Sequence, residues 1–96
     1  MNIESIHAKI DLHPTKIGVL HDLQKGDEVK GHIIRIEDEG EKMRLVVQVG
    51  AGNAKYECAF LVEKGACWEV GDSVQLKVSS VNKLGGGHSI TFSLEQ

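Results

Sequence analysis

The chain of 96 residues is long enough for one domain with a small hydrophobic core. Its formal net charge of −3 counts against a protein that coats nucleic acid without sequence preference, because such proteins carry a strong basic excess. Two cysteines are too few for a disulfide scaffold, and no apolar run reaches the length of a membrane span. Residues 1–7 lack the basic and apolar regions of a signal peptide, so we expect a cytoplasmic protein with reduced thiols and no membrane partner.

An N-terminal strand and a short connection precede the main β-rich region. Apolar and polar residues alternate strictly over residues 6–12, which predicts a half-buried strand that ends before Pro14. Residues 15–23 predict a short helix or turn that seals one end of a barrel. We treat residues 1–22 as an extension of the domain formed by residues 23–96.

Five further strands follow, and glycine-rich or acidic turns separate them. They are predicted over residues 28–37, 42–50, 55–63, 73–81 and 89–94. The phase of the alternation directs Tyr56, Phe60 and Phe92 inward, and we expect Trp68 and Val70 to plug the bottom of the barrel. Short strands at regular spacing with turns between them predict an all-β fold.

The first of these five strands changes its alternation part-way. Gly31 and Ile33 share one face, whereas Ile34 and Ile36 share the other. Such a change of parity predicts a bulge or a bend, and Gly31 supplies the flexibility that a bend needs. A long, bent first strand is typical of a closed five-stranded barrel.

Two stretches of the chain share the same opening. Residues 25–36 and 70–81 each lead from Gly-Asp into a β-rich run, and the two Gly-Asp pairs lie 45 positions apart. We interpret them as two strand starts with the same turn chemistry, in preference to an internal duplication, because the flanking residues do not repeat.

Residues 22–94 resemble an OB-fold, the oligonucleotide/oligosaccharide-binding barrel, in the version found in single-strand-binding proteins of the replication protein A type. The stretches that carry the resemblance are Leu23-Gln24-Lys25-Gly26-Asp27-Glu28-Val29-Lys30-Gly31, Gly71-Asp72-Ser73-Val74-Gln75-Leu76 and Ser89-Ile90-Thr91-Phe92-Ser93-Leu94. The resemblance implies a five- to six-stranded, closed or partly open Greek-key β-barrel with an N-terminal strand extension.

The same resemblance implies a non-catalytic binding module for single-stranded nucleic acid or oligonucleotides. In this fold the ligand lies across the second and third strands, here residues 42–50 and 55–63. Such binding needs cations and an aromatic stacking platform. The candidates that we expect to face outward, together with the single tryptophan, are Lys30, His32, Arg44, Gln48, Lys55, Trp68, Lys77 and Lys83.

Two other functions compete with nucleic-acid binding. The strand at residues 6–12 predicts a protein-interaction or assembly module if it pairs with a partner. The glycine-rich loop at residues 83–88 predicts a small-anion binder, similar to the TOBE-type module. We expect no metal, cofactor or catalytic residue, because no metal-ligand spacing occurs and neither Cys58 nor Cys67 has a neighbouring activating base.

Overall fold

The computed structural model describes residues 5–14, 18–50, 54–64 and 67–95. The predicted connection at residues 15–17 and the hairpin loop at residues 51–53 lie outside these ranges. The described elements are β1 Ser5–Asp11, a 3₁₀ helix Val19–Asp22, β2 Glu28–Glu39, β3 Lys42–Val49, β4 Tyr56–Glu63, β5 Ser73–Asn82, a 3₁₀ helix Leu84–Gly86 and β6 Ser89–Glu95. Among the described residues, no helix has the length and apolar character needed to cross a bilayer.

The six strands form one antiparallel sheet that curls into a nearly closed barrel. The strand order is β1-β6-β5-β2-β3-β4, so β1 returns to the side of β4. No ladder joins β1 to β4 within the described ranges, and this leaves one unsealed seam. The described parts of the β1–β2 connection, residues 12–14 and 18–27, lie at one end of the barrel. Those of the β4–β5 connection, residues 64 and 67–72, lie at the other. The predicted all-β Greek-key barrel is confirmed, and the N-terminal strand is one of its six strands.

The barrel interior holds the apolar side of every strand. Phe60, Phe92 and Leu76 are fully buried, and Leu20 of the first 3₁₀ helix closes the barrel end where β1 ends and β2 begins. The burial of Phe60 and Phe92 confirms the predicted alternation. The prediction for Val70 is wrong: its side chain is 62% exposed, because it lies in the turn before β5.

Strand β2 contains the predicted irregularity, but at a different residue. The β2–β3 register shifts between Ile33 and Arg35, so Ile34 is the extra residue. Gly31 instead lies where β2 packs closely on β3: a Cβ atom there would stand 2.5 Å from Cγ1 of Val47. The glycine is therefore required by close packing and does not form the bulge.

The two Gly-Asp stretches form the same turn. Gly26 and Gly71 have φ angles of 96° and 98°, in the left-handed region that favours glycine. In the first turn the Asp27 carboxylate accepts from the Gln24 N–H at 2.9 Å. In the second, the Asp72 carboxylate accepts from the Glu69 N–H at 3.0 Å.

The hairpins that follow these turns also share one geometry. The register of β2–β3 and that of β5–β6 agree at a constant offset of 45 positions, including the irregularity, which in β5 lies between Val78 and Ser80. Strands β2 and β5 then pair with each other around a pseudo-twofold axis, with Gly31 opposite Val74 and Val29 opposite Leu76. The repeated sequence phrase therefore marks a pseudo-symmetric pair of hairpins.

Candidate nucleic-acid interface

The outer face of β2 and β5 carries a continuous set of polar side chains. Alternation turns the apolar residues of both strands inward, which leaves their neighbours exposed. The β2–β5 register places Lys30 opposite Gln75 and Glu28 opposite Lys77. On this face, therefore, the two lysines are diagonal neighbours.

A groove of about 530 Å³ opens at one end of this face. It forms because the β5–β6 ladder ends at Lys77 and Ser93, while β5 continues to Ser73 with a ladder to β2 alone. The residues that line it include Glu28, Trp68, Ser73, Gln75, Lys77 and Ser93. The groove thus combines an aromatic ring, an ammonium group, a carboxylate and neutral hydrogen-bonding groups.

Trp68 lies in the connection between β4 and β5 and is half-buried. It packs against the edge of the hydrophobic core and also lines the groove. Its indole Nε1 is buried and has no hydrogen-bond partner among the described residues. The Trp68 side chain therefore contacts both the core and the groove.

The described cations separate into two groups. Those paired with a carboxylate are Lys9, Arg35, Lys42, Arg44 and Lys64. Those without an ion-pair partner in the described part of the chain are Lys25, Lys30, Lys55, Lys77 and Lys83. Four of the unpaired lysines, all except Lys55, lie on β2 or β5 or in the segments that flank these strands.

The outer face of β3 and the second half of β2 is electrostatically compensated. The Arg44 guanidinium lies 2.7 Å from the Glu39 carboxylate, and the Arg35 guanidinium lies 3.4 Å from that of Glu37. Glu57 adds a further carboxylate to the adjacent shallow pocket. A phosphate on this face would compete with carboxylates for its cations.

The predicted site residues are partly brought together. Trp68 and Lys77 line the groove, Lys30 lies across from it on β2, and His32 lies opposite Gln48 of β3. The remaining candidates lie elsewhere: Arg44 is paired on β3, Lys55 precedes β4, and Lys83 follows β5 at the opposite end from Trp68. The sequence reasoning missed Ser73, Gln75 and Ser93, although their outward phase on β5 and β6 was a usable signal.

The glycine-rich loop uses part of its own hydrogen-bonding capacity. The Leu84 N–H donates to the Asn82 side chain at 2.9 Å, and the Gly87 N–H donates to the Leu84 carbonyl at 3.2 Å. Two of the amides that could hold an anion are therefore occupied within the loop.

The two cysteines differ in burial. Burial raises the pKa of the Cys58 thiol to about 12, which keeps it protonated and unreactive at neutral pH. Cys67 is exposed and free. The described residues contain no group of three or more His, Cys, Asp or Glu side chains arranged to hold a metal ion.

Comparisons with protein families, with curated proteins and with solved structures found no match for this chain. The nearly closed barrel is compatible with an OB-like fold. Any function must therefore be argued from the surface of this barrel itself.

Proposed function

We propose that the protein is a non-catalytic module that binds single-stranded nucleic acid along the outer face of β2 and β5. The observation that carries the proposal is the groove in which Trp68 and Lys77 lie together, continued by the unpaired Lys30. In this proposal the barrel is an OB-like module of the single-strand-binding type. The sequence predicted that the ligand lies across residues 42–50 and 55–63. The proposed path avoids these strands because their arginine, Arg44, is paired with Glu39.

The length of the face matches a short single strand. Strand β5 contains 10 residues, which corresponds to roughly 30 Å. Single-strand sites of OB folds begin at about four nucleotides. A strand that stacks one base on Trp68 would pass Lys77 and Lys30 and end near Lys25 and Lys83. Among the described residues, Glu28 is the one carboxylate that lines the groove, and it opposes this binding.

Fluorescence of the single tryptophan tests the proposal directly. We expect DNA and RNA oligonucleotides of about ten nucleotides to quench Trp68 at low salt, because stacking places a base against the indole. The affinity should fall with salt concentration with a log–log slope of about 0.7 per phosphate contact. Lys77→Gln and Lys30→Gln should each reduce this slope by about 0.7.

Two variants make the test specific. Lys42→Gln also removes one positive charge, but Lys42 of β3 is paired with Glu63 of β4 and lies away from the groove. This variant should leave the salt dependence of the affinity unchanged. Trp68→Leu introduces the residue found at the pseudo-symmetric position, Leu23, so packing is kept while stacking is lost. We expect it to weaken binding, measured by anisotropy of a labelled oligonucleotide, by about 1–3 kcal/mol. Absence of binding at low salt, or equal effects of the Lys42 and Lys77 variants, would overturn the proposal.

A second proposal, a protein-interaction or assembly module, rests on the seam. In the described part of the chain, no ladder joins the edges that β1 and β4 turn toward each other. Unpaired strand edges are sites where another chain can add a strand. β1 is already paired with β6 from Ser5 to Asp11, so a partner would pair at the seam and leave this ladder intact. Light scattering over a range of protein concentrations tests self-association, and a monomer throughout would count against this form of assembly.

A further inference from the structure

Two histidines meet at the barrel end where β1 ends and β2 begins. His21 belongs to the first 3₁₀ helix, and His88 immediately precedes β6. Their ring centroids are 5.3 Å apart and the ring planes are nearly perpendicular, at 85°. Because the two residues belong to different connections, their contact joins the β1–β2 connection to the β5–β6 loop.

Backbone hydrogen bonds connect both histidines to the closure of this end. The Gly18 N–H donates to Nδ1 of His21 at 3.3 Å, while the His21 N–H donates to the Gly18 carbonyl at 3.0 Å. The Leu12 N–H donates to the His88 carbonyl at 2.8 Å. Leu20 lies between Gly18 and His21 in the sequence, and its side chain, which is only 1% exposed, closes the core. Loss of the histidine contact would therefore loosen a core residue.

The hydrogen-bonding pattern defines the protonation state of His21. Its Nδ1 accepts a hydrogen bond and so carries no proton, which leaves the proton of the neutral ring on Nε2. Nε2 of His21 and Nε2 of His88 are both buried without a partner among the described residues. A metal ion bound through Nε2 would need Nδ1 of His21 to be a donor, so this pair is not arranged as a metal site.

We propose that the contact of His88 with His21 is a proton-sensitive latch, which holds Leu12 and residues 18–23 on the barrel end at neutral pH and releases them on acidification. A proton added to His88 would place an imidazolium cation against the His21 ring. Lys83 adds a further positive charge from the β5–β6 loop, and the nearest acid on the helix itself, Asp22, is exposed.

The direction of the pH dependence follows from His88. Burial, together with the electrostatic effects of Lys83 and of the neighbouring His21, lowers the pKa of His88 below its ordinary value of 6.5. The folded state therefore takes up this proton less readily than the open state. The closed latch is most stable above about pH 6.5, and its stability decreases as the pH falls from there toward the lower pKa of the folded state.

Amide hydrogen exchange measures the latch in the intact protein. On acidification from about pH 7.5 to about pH 5.5, the protection factors of the Leu12, His21 and Leu23 amides should fall, by at most about tenfold per pH unit for each proton taken up. The amides of Ile33 and Gly71, which donate to the carbonyls of Asp72 and Ile33 near the start of β5, should keep their protection. Unchanged protection of the first group would overturn the proposal.

Three variants separate the latch from general acid sensitivity. His88→Gln should remove the pH dependence at Leu12 and His21, whereas His7→Gln, on the exposed outer face of β1, should retain it. Lys83→Gln changes an exposed loop residue and should raise the pKa of His88 in an NMR titration, moving the opening to higher pH. Persistence of the pH dependence in His88→Gln, or no change in the opening pH in Lys83→Gln, would refute the latch. The Lys83 variant decides the question if His88→Gln does not fold.

Discussion

Replacement of Gly31 by alanine tests the close packing of β2 on β3. The added Cβ would lie 2.5 Å from Cγ1 of Val47 and 3.1 Å from Cγ1 of Val49, whereas carbon atoms in favourable contact are about 3.5–4.0 Å apart. Both valines are fully buried, so neither can turn away into solvent. Overpacking of this kind costs about 1–3 kcal/mol.

An opposing effect comes from the unfolded chain. Alanine restricts the unfolded state more than glycine does, which stabilises a protein by about 0.4–1 kcal/mol where the folded backbone tolerates it. The φ angle of Gly31 is not positive, so the backbone itself accepts alanine. The steric term is the larger of the two, and we expect a net loss of about 1–2 kcal/mol in the free energy of unfolding.

Urea denaturation with a double-mutant cycle assigns the cause. Val47→Ala removes the clashing methyl group, so the double variant Gly31→Ala/Val47→Ala should be more stable than the two single effects predict, by about 0.5–3 kcal/mol. Gly40→Ala is the matched control, because nothing lies within 4 Å of its Cβ position and its cost arises from a φ of 77°. Its effect should add to that of Val47→Ala. A neutral Gly31→Ala, or no coupling with Val47, would refute the packing role.

Two further predictions concern the thiols and the pseudo-symmetric turns. In the native protein, a thiol reagent at neutral pH should modify Cys67 alone. Cys58 should react only after unfolding, because burial raises the pKa of its thiol to about 12. Equal reactivity of the two cysteines in the native protein would contradict this prediction. Gly26→Ala and Gly71→Ala should each lower the free energy of unfolding by a similar amount, about 1–2 kcal/mol, because both positions need a left-handed backbone. Clearly unequal losses in thermal or urea unfolding would show that the two turns are not equivalent.

The strand pattern was readable from the sequence because a strand has a period of two. The alternation in residues 55–63 directed Phe60 inward, and Phe60 is fully buried. The same reasoning failed at Val70, which belongs to a turn and follows no period. It also assigned the bend to Gly31, because a glycine inside a strand indicates either a bend or a close approach, and sequence alone does not distinguish them.

The sequence pattern predicted only part of the candidate site. The outward phase of Lys30 and Lys77 followed from their strands, but their diagonal proximity depends on the β2–β5 register. The pairing of Arg44 with Glu39, which removes Arg44 from the proposed path, likewise depends on a turn that brings the two side chains together. Which cations remain unpaired is a property of the folded surface.

The sequence by itself determined the strands, their inward faces and the two Gly-Asp turns, because each depends on residues close together in the chain. Tertiary structure decided that β1 joins β6, that the two hairpins are related by a pseudo-twofold axis, and that Trp68 meets Lys77 at the open end of β5. These features depend on which strands become neighbours when the sheet curls. That choice is made by closure of the whole barrel around its core, and local patterns do not contain it.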